Sequence, residues 1–345
     1  MVFFRADANG EIGTGHVMRC LTIAKALQKT GEKIAFITAD MQSHDLITKN
    51  GFQVICLNSE WNNLNTEIEK IRDLLEKEEN PVIFIDTYFV TKEYLEMVHA
   101  VASTIYMDDL NMFPYRVDCL INYNIFAEDI PYQELYDTTD NIKLALGCSY
   151  APLRDEFENV SRNISEQVKN VLITSGGTDK YNLTGNLLKE LSAKPYFGDY
   201  EFYVVVGCFN RNADALKREW DHIDNVHILY NISNMSHYMK LCDVAITAGG
   251  VTTYELCACG IPAIMYSLAD NQLQLVQKFS DKGLVYYVGD IRENLGGCIQ
   301  KIEETLQLLM HQKERRSQMS ANMMKCVDGK GSVRIVELIK SYLKK

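Results

Sequence analysis

Short apolar runs and amphipathic stretches alternate along almost the whole chain. This alternation restricts the fold more than any other feature of the sequence. The runs fall at 2–5, 33–38, 53–57, 82–86, 104–107, 119–122 and 143–146. They resume at 171–174, 202–207, 226–229, 244–247, 263–266 and 284–288. They are rich in Val, Ile, Phe and Tyr and lack a clean polar–apolar alternation, as expected of strands buried on both faces of a parallel sheet. Helical periodicity fills 17–29, 64–77, 183–191, 213–220, 235–241, 253–259 and 271–282. In the first of these, Val17, Cys20, Leu21, Ala24 and Leu27 share one face, and Gly31 ends the pattern. Repeated strand–helix–strand order predicts an α/β fold with mainly parallel, doubly wound sheets.

The alternation lapses between Gly147 and Lys169, in a polar, charged stretch without strand character. That lapse predicts two Rossmann-like domains, at 1–150 and 165–345, whose strand carboxyl ends face a cleft. From 297 onward the sequence reads as two or three helices, a tail to the second domain. The length of 345 residues suits two domains, and 47% hydrophobic residues suffice for large cores, which excludes disordered and fibrous classes.

The formal charge of −11 disfavours nucleic acid and anionic membrane as partners. It leaves room for an anionic small ligand held by backbone amides. Ten cysteines are scattered (Cys20, Cys56, Cys119, Cys148, Cys208, Cys242, Cys257, Cys259, Cys298, Cys326) with no CxxC pair, so buried reduced thiols are expected rather than disulfides or a zinc site. The opening MVFFRADANG meets charge after four residues, and no apolar run reaches the ~20 residues of a membrane span. A cytoplasmic protein without membrane contact is expected. The Asn-x-Ser/Thr triplets at Asn163, Asn182 and Asn231 are then unmodified. Nothing demands more than a monomer.

Four strand-end loops carry candidate chemistry. Gly13-Thr14-Gly15-His16 lies between the first strand and the first helix, with Arg19 one turn on. Its glycines permit a tight turn and close approach of a ligand. His16 falls near a helix N-terminus, which disfavours a protonated ring and suits a base. This is not a GxGxxG loop, and Asp40 is the nearest acidic candidate for a ribose, so a dinucleotide cofactor is not supported. Ser175-Gly176-Gly177-Thr178-Asp179 forms a possible anion or sugar nest. Gly249-Gly250-Val251-Thr252-Thr253-Tyr254-Glu255 opens a helix suited to a pyrophosphate, with Glu255 placed for ribose hydroxyls. It lacks the Lys of a Walker loop. Asp270-Asn271-Gln272 offers donors and acceptors for a sugar. Each loop alone is also compatible with a plain capped helix start.

Asp86 and Tyr88 end one strand, and Asp108-Asp109 another. Adjacent carboxylates on a strand point to opposite faces, and no His clusters with them in sequence, so no metal is expected.

In combination these loops are more specific. FRADANGEIGTGHVMRCLTIAKAL, FIDTYFV, YMDDL, LINYN, YAPLRDEF, SGGTDKYN and AGGVTTYELCACGIPAI occur in order over most of the chain. In them the chain resembles the UDP-2,4-diacetamido-2,4,6-trideoxy-β-L-altropyranose hydrolases of pseudaminic acid biosynthesis. The resemblance implies a GT-B fold, a UDP-sugar substrate and no cofactor. The implied reaction is metal-independent hydrolysis at the anomeric C–O bond with inversion. It puts the catalytic base on His16 and a water- or sugar-holding role on Tyr88. Nucleotide contacts fall on Gly249, Gly250, Thr252, Thr253 and Glu255, and sugar contacts on Asn271 and Gln272. Gly13, Gly15, Arg19, Asp86, Gly177 and Thr178 complete the expected substrate-binding set. The GG-x-x-x-x-E element and the loop plan are shared with the peptidoglycan UDP-N-acetylglucosamine transferase, which makes a GT-B transferase the alternative.

Overall fold

The computed structural model describes residues 1–136, 142–207, 210–230 and 232–343. Cys208 and Asn231 therefore lie outside the described residues. The chain forms two compact units. The first is Met1–Asp155 together with the C-terminal segment from Lys330, and the second is Glu156–Gly329.

The first unit holds seven parallel strands: β1 (Val2–Arg5), β2 (Ile34–Thr38), β3 (Gln53–Cys56), β4 (Val82–Ile85), β5 (Ser103–Met107), β6 (Cys119–Asn122) and β7 (Lys143–Leu146). Their order is 3-2-1-4-5-6-7. Helices α1 (Gly15–Gln28), α2 (His44–Lys49), α3 (Ile68–Leu75), α4 (Lys92–Val101) and α5 (Tyr132–Leu135) connect them. β1 and β4 are buried along their whole length, β4 as an unbroken apolar run and β1 as three apolar residues followed by the buried Arg5. The order reverses between β1 and β4, and Arg5 pairs with Ile85 there, so Ala6 and Asp86 leave the sheet at the same height. Such a switch point opens a crevice at the carboxyl ends of the strands.

The second unit holds six parallel strands: β8 (Asn170–Thr174), β9 (Glu201–Val206), β10 (Val226–Tyr230), β11 (Val244–Ala248), β12 (Ala263–Ser267) and β13 (Tyr286–Asp290). Their order is 10-9-8-11-12-13, with the reversal between β8 and β11. Its helices are α6 (Leu183–Ser192), α7 (Ala213–Trp220), α8 (Met235–Leu241), α9 (Val251–Cys259), α10 (Asp270–Asp281), α11 (Leu295–His311) and α12 (Lys313–Cys326).

Three features differ from expectation. The helix read over 64–77 is a 3-10 turn, Leu64–Glu67, followed by a shorter α3. The strand read at 284–288 begins at Tyr286 instead. Gly283, at φ +67, closes α10, and the Leu284 N–H bonds back to the Phe279 carbonyl at 3.0 Å. Leu284 therefore serves as the apolar seal of a Schellman end and not as a strand start. Third, the last helix, α13 (Gly331–Leu343), belongs to the first unit and not to 165–345. A Cβ on Gly331 would meet the Ala151 carbonyl oxygen at 2.0 Å, so only glycine lets the helix start that close to the backbone. Ser332 Oγ donates to the Leu153 carbonyl at 2.7 Å and Tyr342 Oη to the Asp118 carbonyl at 3.0 Å. Between them Ile335, Leu338 and Ile339 bury the apolar stripe of α13.

Seven cysteines (Cys20, Cys119, Cys148, Cys242, Cys257, Cys259, Cys298) are buried. Among the described residues no helix is long and apolar enough to cross a membrane.

Candidate functional site

The switch point of the first sheet gathers His16, Arg19, Asp86 and Tyr88. Gly13, at φ +71, turns the chain after β1, and its N–H bonds to the Asn9 carbonyl at 2.9 Å. A Cβ on Gly13 or Gly15 would meet nothing within 4 Å, so both border open space. His16 then lies in the first turn of α1 and is almost fully buried.

His16 Nδ1 sits 2.6 Å from Asp86 Oδ1. Arg19 donates from Nε to Asp86 Oδ2 at 2.5 Å and from Nη2 to Asp86 Oδ1 at 2.6 Å. Burial opposes ionisation of Asp86. The Arg19 charge and the hydrogen bonds from His16 and Arg19 outweigh that cost and hold the carboxyl down to about 2. An ionised carboxylate at 2.6 Å needs a donor, so Nδ1 carries a proton, and Nε2 is the nitrogen that holds the lone pair in the neutral ring. Arg19 Nη2, 3.1 Å from Nδ1, is then a neighbouring cation and not a donor to the ring.

Arg19 also donates from Nη2 to Asp109 Oδ2 at 2.7 Å and from Nη1 to Tyr123 Oη at 3.1 Å. Asn124 Nδ2 holds the other oxygen of Asp109 at 3.0 Å. The guanidinium thus ties α1 to the ends of β4, β5 and β6. The Tyr88 ring stands edge-on to His16, with centroids 4.5 Å apart. Partial burial and then the nearby Asp109 raise its phenol to about 12, so it stays a neutral donor.

Asp108 turns the other way. It accepts from Tyr132 Oη at 2.5 Å, Tyr115 Oη at 3.1 Å and the Leu110 N–H at 2.9 Å, as a buried loop anchor. Among the described residues no three His, Cys, Asp or Glu side chains are grouped to hold a metal ion.

The second switch point is flanked by the glycine loops after β8 and β11, which leave the sheet level with each other because Thr174 pairs with Thr247. Gly177 and Thr178 are exposed there, with Gly176 at φ +70. Asp179 is a buried cap, accepting from the Leu183 and Thr184 N–H groups at 2.8 and 3.0 Å. A hydroxyl chain fixes the loop base: Tyr266 Oη donates to Ser175 Oγ at 2.9 Å, and Ser175 Oγ lies 3.0 Å from Thr184 Oγ1.

In the β11 loop, a Cβ on Gly249 would stand 2.3 Å from Val276 Cγ1 of α10, so the backbone must pass where a side chain cannot. Gly250 adopts φ +154 with free space around it. Thr253 is fully buried, and its Oγ1 accepts from the Gly250 N–H at 3.3 Å, shaping the loop instead of facing outward. Thr252 and Glu255 lie half-buried on α9. Gln272 packs beside Gly249 and its Oε1 accepts from the Leu268 N–H at 2.9 Å, while Asn271 is exposed. Arg292 pairs with Asp270 at 2.7 Å and Asp290 at 2.6 Å.

Sequence reasoning gave no role to Tyr123 or Asn124, and considered Asp109 only for a metal. The available signal was position: each follows a largely buried strand, at the edge where His16 and Asp86 emerge.

Residues 170–337 match the model of the glycosyltransferase family 28 C-terminal domain. An uncharacterised protein of Methanocaldococcus jannaschii is 30% identical over 279 residues, which cover 78% of this chain and 55% of that protein. The UDP-2,4-diacetamido-2,4,6-trideoxy-β-L-altropyranose hydrolase of Campylobacter jejuni is 28% identical over 241 residues, 69% of this chain and 81% of that protein. MurG of Acinetobacter baumannii superposes with a TM-score of 0.68 at 13% identity, over 99% of both chains. With parallel sheets of seven and six strands in two α/β units, the chain has the GT-B fold.

Proposed function

We propose that this chain hydrolyses a UDP-linked 2,4-diacetamido-2,4,6-trideoxy sugar at the anomeric C–O bond, with inversion, releasing UDP and the free sugar. The observation that carries the reading is the His16–Asp86 pair, in which Nδ1–H is spent on a carboxylate and Nε2 is the nitrogen left for the base's role. The similarity to the C. jejuni hydrolase supports the choice of substrate class. In this reaction His16 Nε2 takes a proton from water as the oxygen attacks the anomeric carbon, and the bond to the UDP oxygen breaks. Such general-base help is worth roughly 100- to 10,000-fold. Tyr88, as a neutral phenol, donates to the water or the sugar.

The leaving diphosphate needs stabilisation more than protonation. The Gly249 and Gly250 N–H groups are already donated, to the Tyr266 carbonyl at 3.0 Å and to Thr253 Oγ1 at 3.3 Å, so the glycines serve by letting the diphosphate come close, and the amides and positive end at the start of α9 stabilise it. Thr252 and Glu255 bind the nucleotide, Asn271 and Gln272 the sugar, and Gly177 and Thr178 border it. The reading requires no metal or cofactor and describes a cytoplasmic monomer.

The match to the family 28 C-terminal domain favours a second reading, a GT-B transferase. The two are separated by incubating the protein with the UDP-sugar and no acceptor. Steady UDP release, lost in His16→Asn, is the expected result. Release that depends on an added acceptor would reverse the choice.

A further inference from the structure

His16 hydrogen-bonds a buried, ionised carboxylate, and that alone would favour an imidazolium, which cannot act as a base. The titratable groups at the ring and at its partners Asp86 and Arg19 come from four elements. α1 supplies Arg19 and Cys20, the end of β4 supplies Asp86 and Tyr88, the end of β5 supplies Asp109, and the end of β6 supplies Tyr123. Burial keeps Cys20, Tyr88 and Tyr123 protonated at neutral pH. The charged neighbours are therefore one cation, Arg19, and two carboxylates, Asp86 and Asp109.

Arg19 is committed within the protein. Its guanidinium makes two bonds to Asp86, one to Asp109 and one to Tyr123, and its side chain is 11% exposed. Little of it remains for a substrate, in contrast to the binding role expected from sequence. What it does instead follows from its position. It neutralises Asp86 while leaving that carboxylate free to accept from Nδ1, and it places positive charge 3.1 Å from the ring. Both effects disfavour a second positive charge on the imidazole.

We propose that Arg19 is a positioning residue that keeps His16 neutral in its Nδ1–H form by compensating Asp86, and that Asp109 sets the strength of that compensation by sharing the guanidinium. The ring then has the orientation that a carboxylate partner gives without the charge such a partner would impose. This assignment rests on His16 acting as a base in the proposed hydrolysis. The electrostatic arrangement itself can be measured without turnover.

The test is a nitrogen-15 NMR titration of His16 in the full-length wild type, Arg19→Gln and Asp109→Asn. At neutral pH the wild-type ring should be neutral with the proton on Nδ1. Arg19→Gln leaves two carboxylates uncompensated, so the midpoint should rise by about 1 to 3 pH units, the range for charges at this separation. Asp109→Asn keeps an amide oxygen for Arg19 and removes one negative charge, so the midpoint should fall. The double variant should lie between the singles. If Arg19→Gln does not fold, Asp109→Asn decides alone. An unchanged midpoint, or shifts of the opposite sign, would overturn the proposal. If His16 titrates as described but no UDP-sugar is hydrolysed, the clamp stands and the reaction assignment fails. For an active enzyme the acidic limb of kcat/KM must move in the same direction as the NMR midpoint.

Discussion

His16 Nδ1 and Asp86 Oδ1, 2.6 Å apart, join the first turn of α1 to the end of β4 across the point where the first sheet reverses its order. The two residues are 70 positions apart in sequence; the β1–β4 register brings Ala6 level with Asp86, and the loop through Gly13 carries the chain from there to His16. Asp86→Asn tests what the charge does. An amide can turn either its oxygen or its NH2 toward Nδ1, so the tautomer is no longer fixed. Steady-state kinetics should show kcat lowered by about 100-fold or more with KM little changed, the signature of an interaction used in the transition state.

Asp86 also links stability to pH. Its carboxyl is held at about 2 in the fold against an ordinary value of 3.8. A depressed folded value means that the contribution is complete above about pH 4 and is lost as pH falls toward 2. The shift corresponds to about 2 kcal/mol. Urea denaturation of wild type and Asp86→Asn over this window should show the wild type losing about that much more stability on acidification.

The β11 loop gives a steric prediction. In Gly249→Ala the new methyl would stand 2.3 Å from Val276 Cγ1, so α10 or the loop must shift. Calorimetry should show UDP affinity lowered at least tenfold, about 1.4 kcal/mol. Glu255→Ala should also weaken UDP binding, and an unchanged affinity would remove that residue from the nucleotide site.

A buried ion network beneath the first site makes a separate claim about stability. Arg5, fully buried, donates to Glu67 at 2.7 and 2.9 Å and to Asp7 at 2.5 Å, and Tyr94 Oη donates to Glu67 at 2.9 Å. Glu67→Ala leaves Arg5 short of a partner and should cost about 3–5 kcal/mol by chemical denaturation.

The central strands were legible because both faces are buried, so apolar runs such as VFF in β1 and VIFI in β4 mark them without any need for periodicity. The glycine loops were legible because positive φ at Gly13 and Gly176 demands that residue type. The Arg5 network was not, because an arginine at a strand end reads as a solvent boundary until Glu67 and Tyr94 are seen to close over it. Nor was the allegiance of α13. Its apolar stripe says that it is covered, while only the approach of Gly331 to Ala151 says by what. Arg19 was singled out for the substrate, but its partners within the protein were not seen. Its carboxylates lie 67 and 90 positions away, just past the ends of strands whose order sequence does not encode locally.

The central claim is that water, activated by His16, attacks the sugar and not the phosphate. Incubation with a UDP-linked 2,4-diacetamido-2,4,6-trideoxy sugar in oxygen-18 water, followed by mass spectrometry of both products, tests it most directly. The account predicts one labelled oxygen in the free sugar, none in UDP, and loss of product with His16→Asn. Label in UDP, or labelled sugar formed at an undiminished rate by His16→Asn, would contradict it.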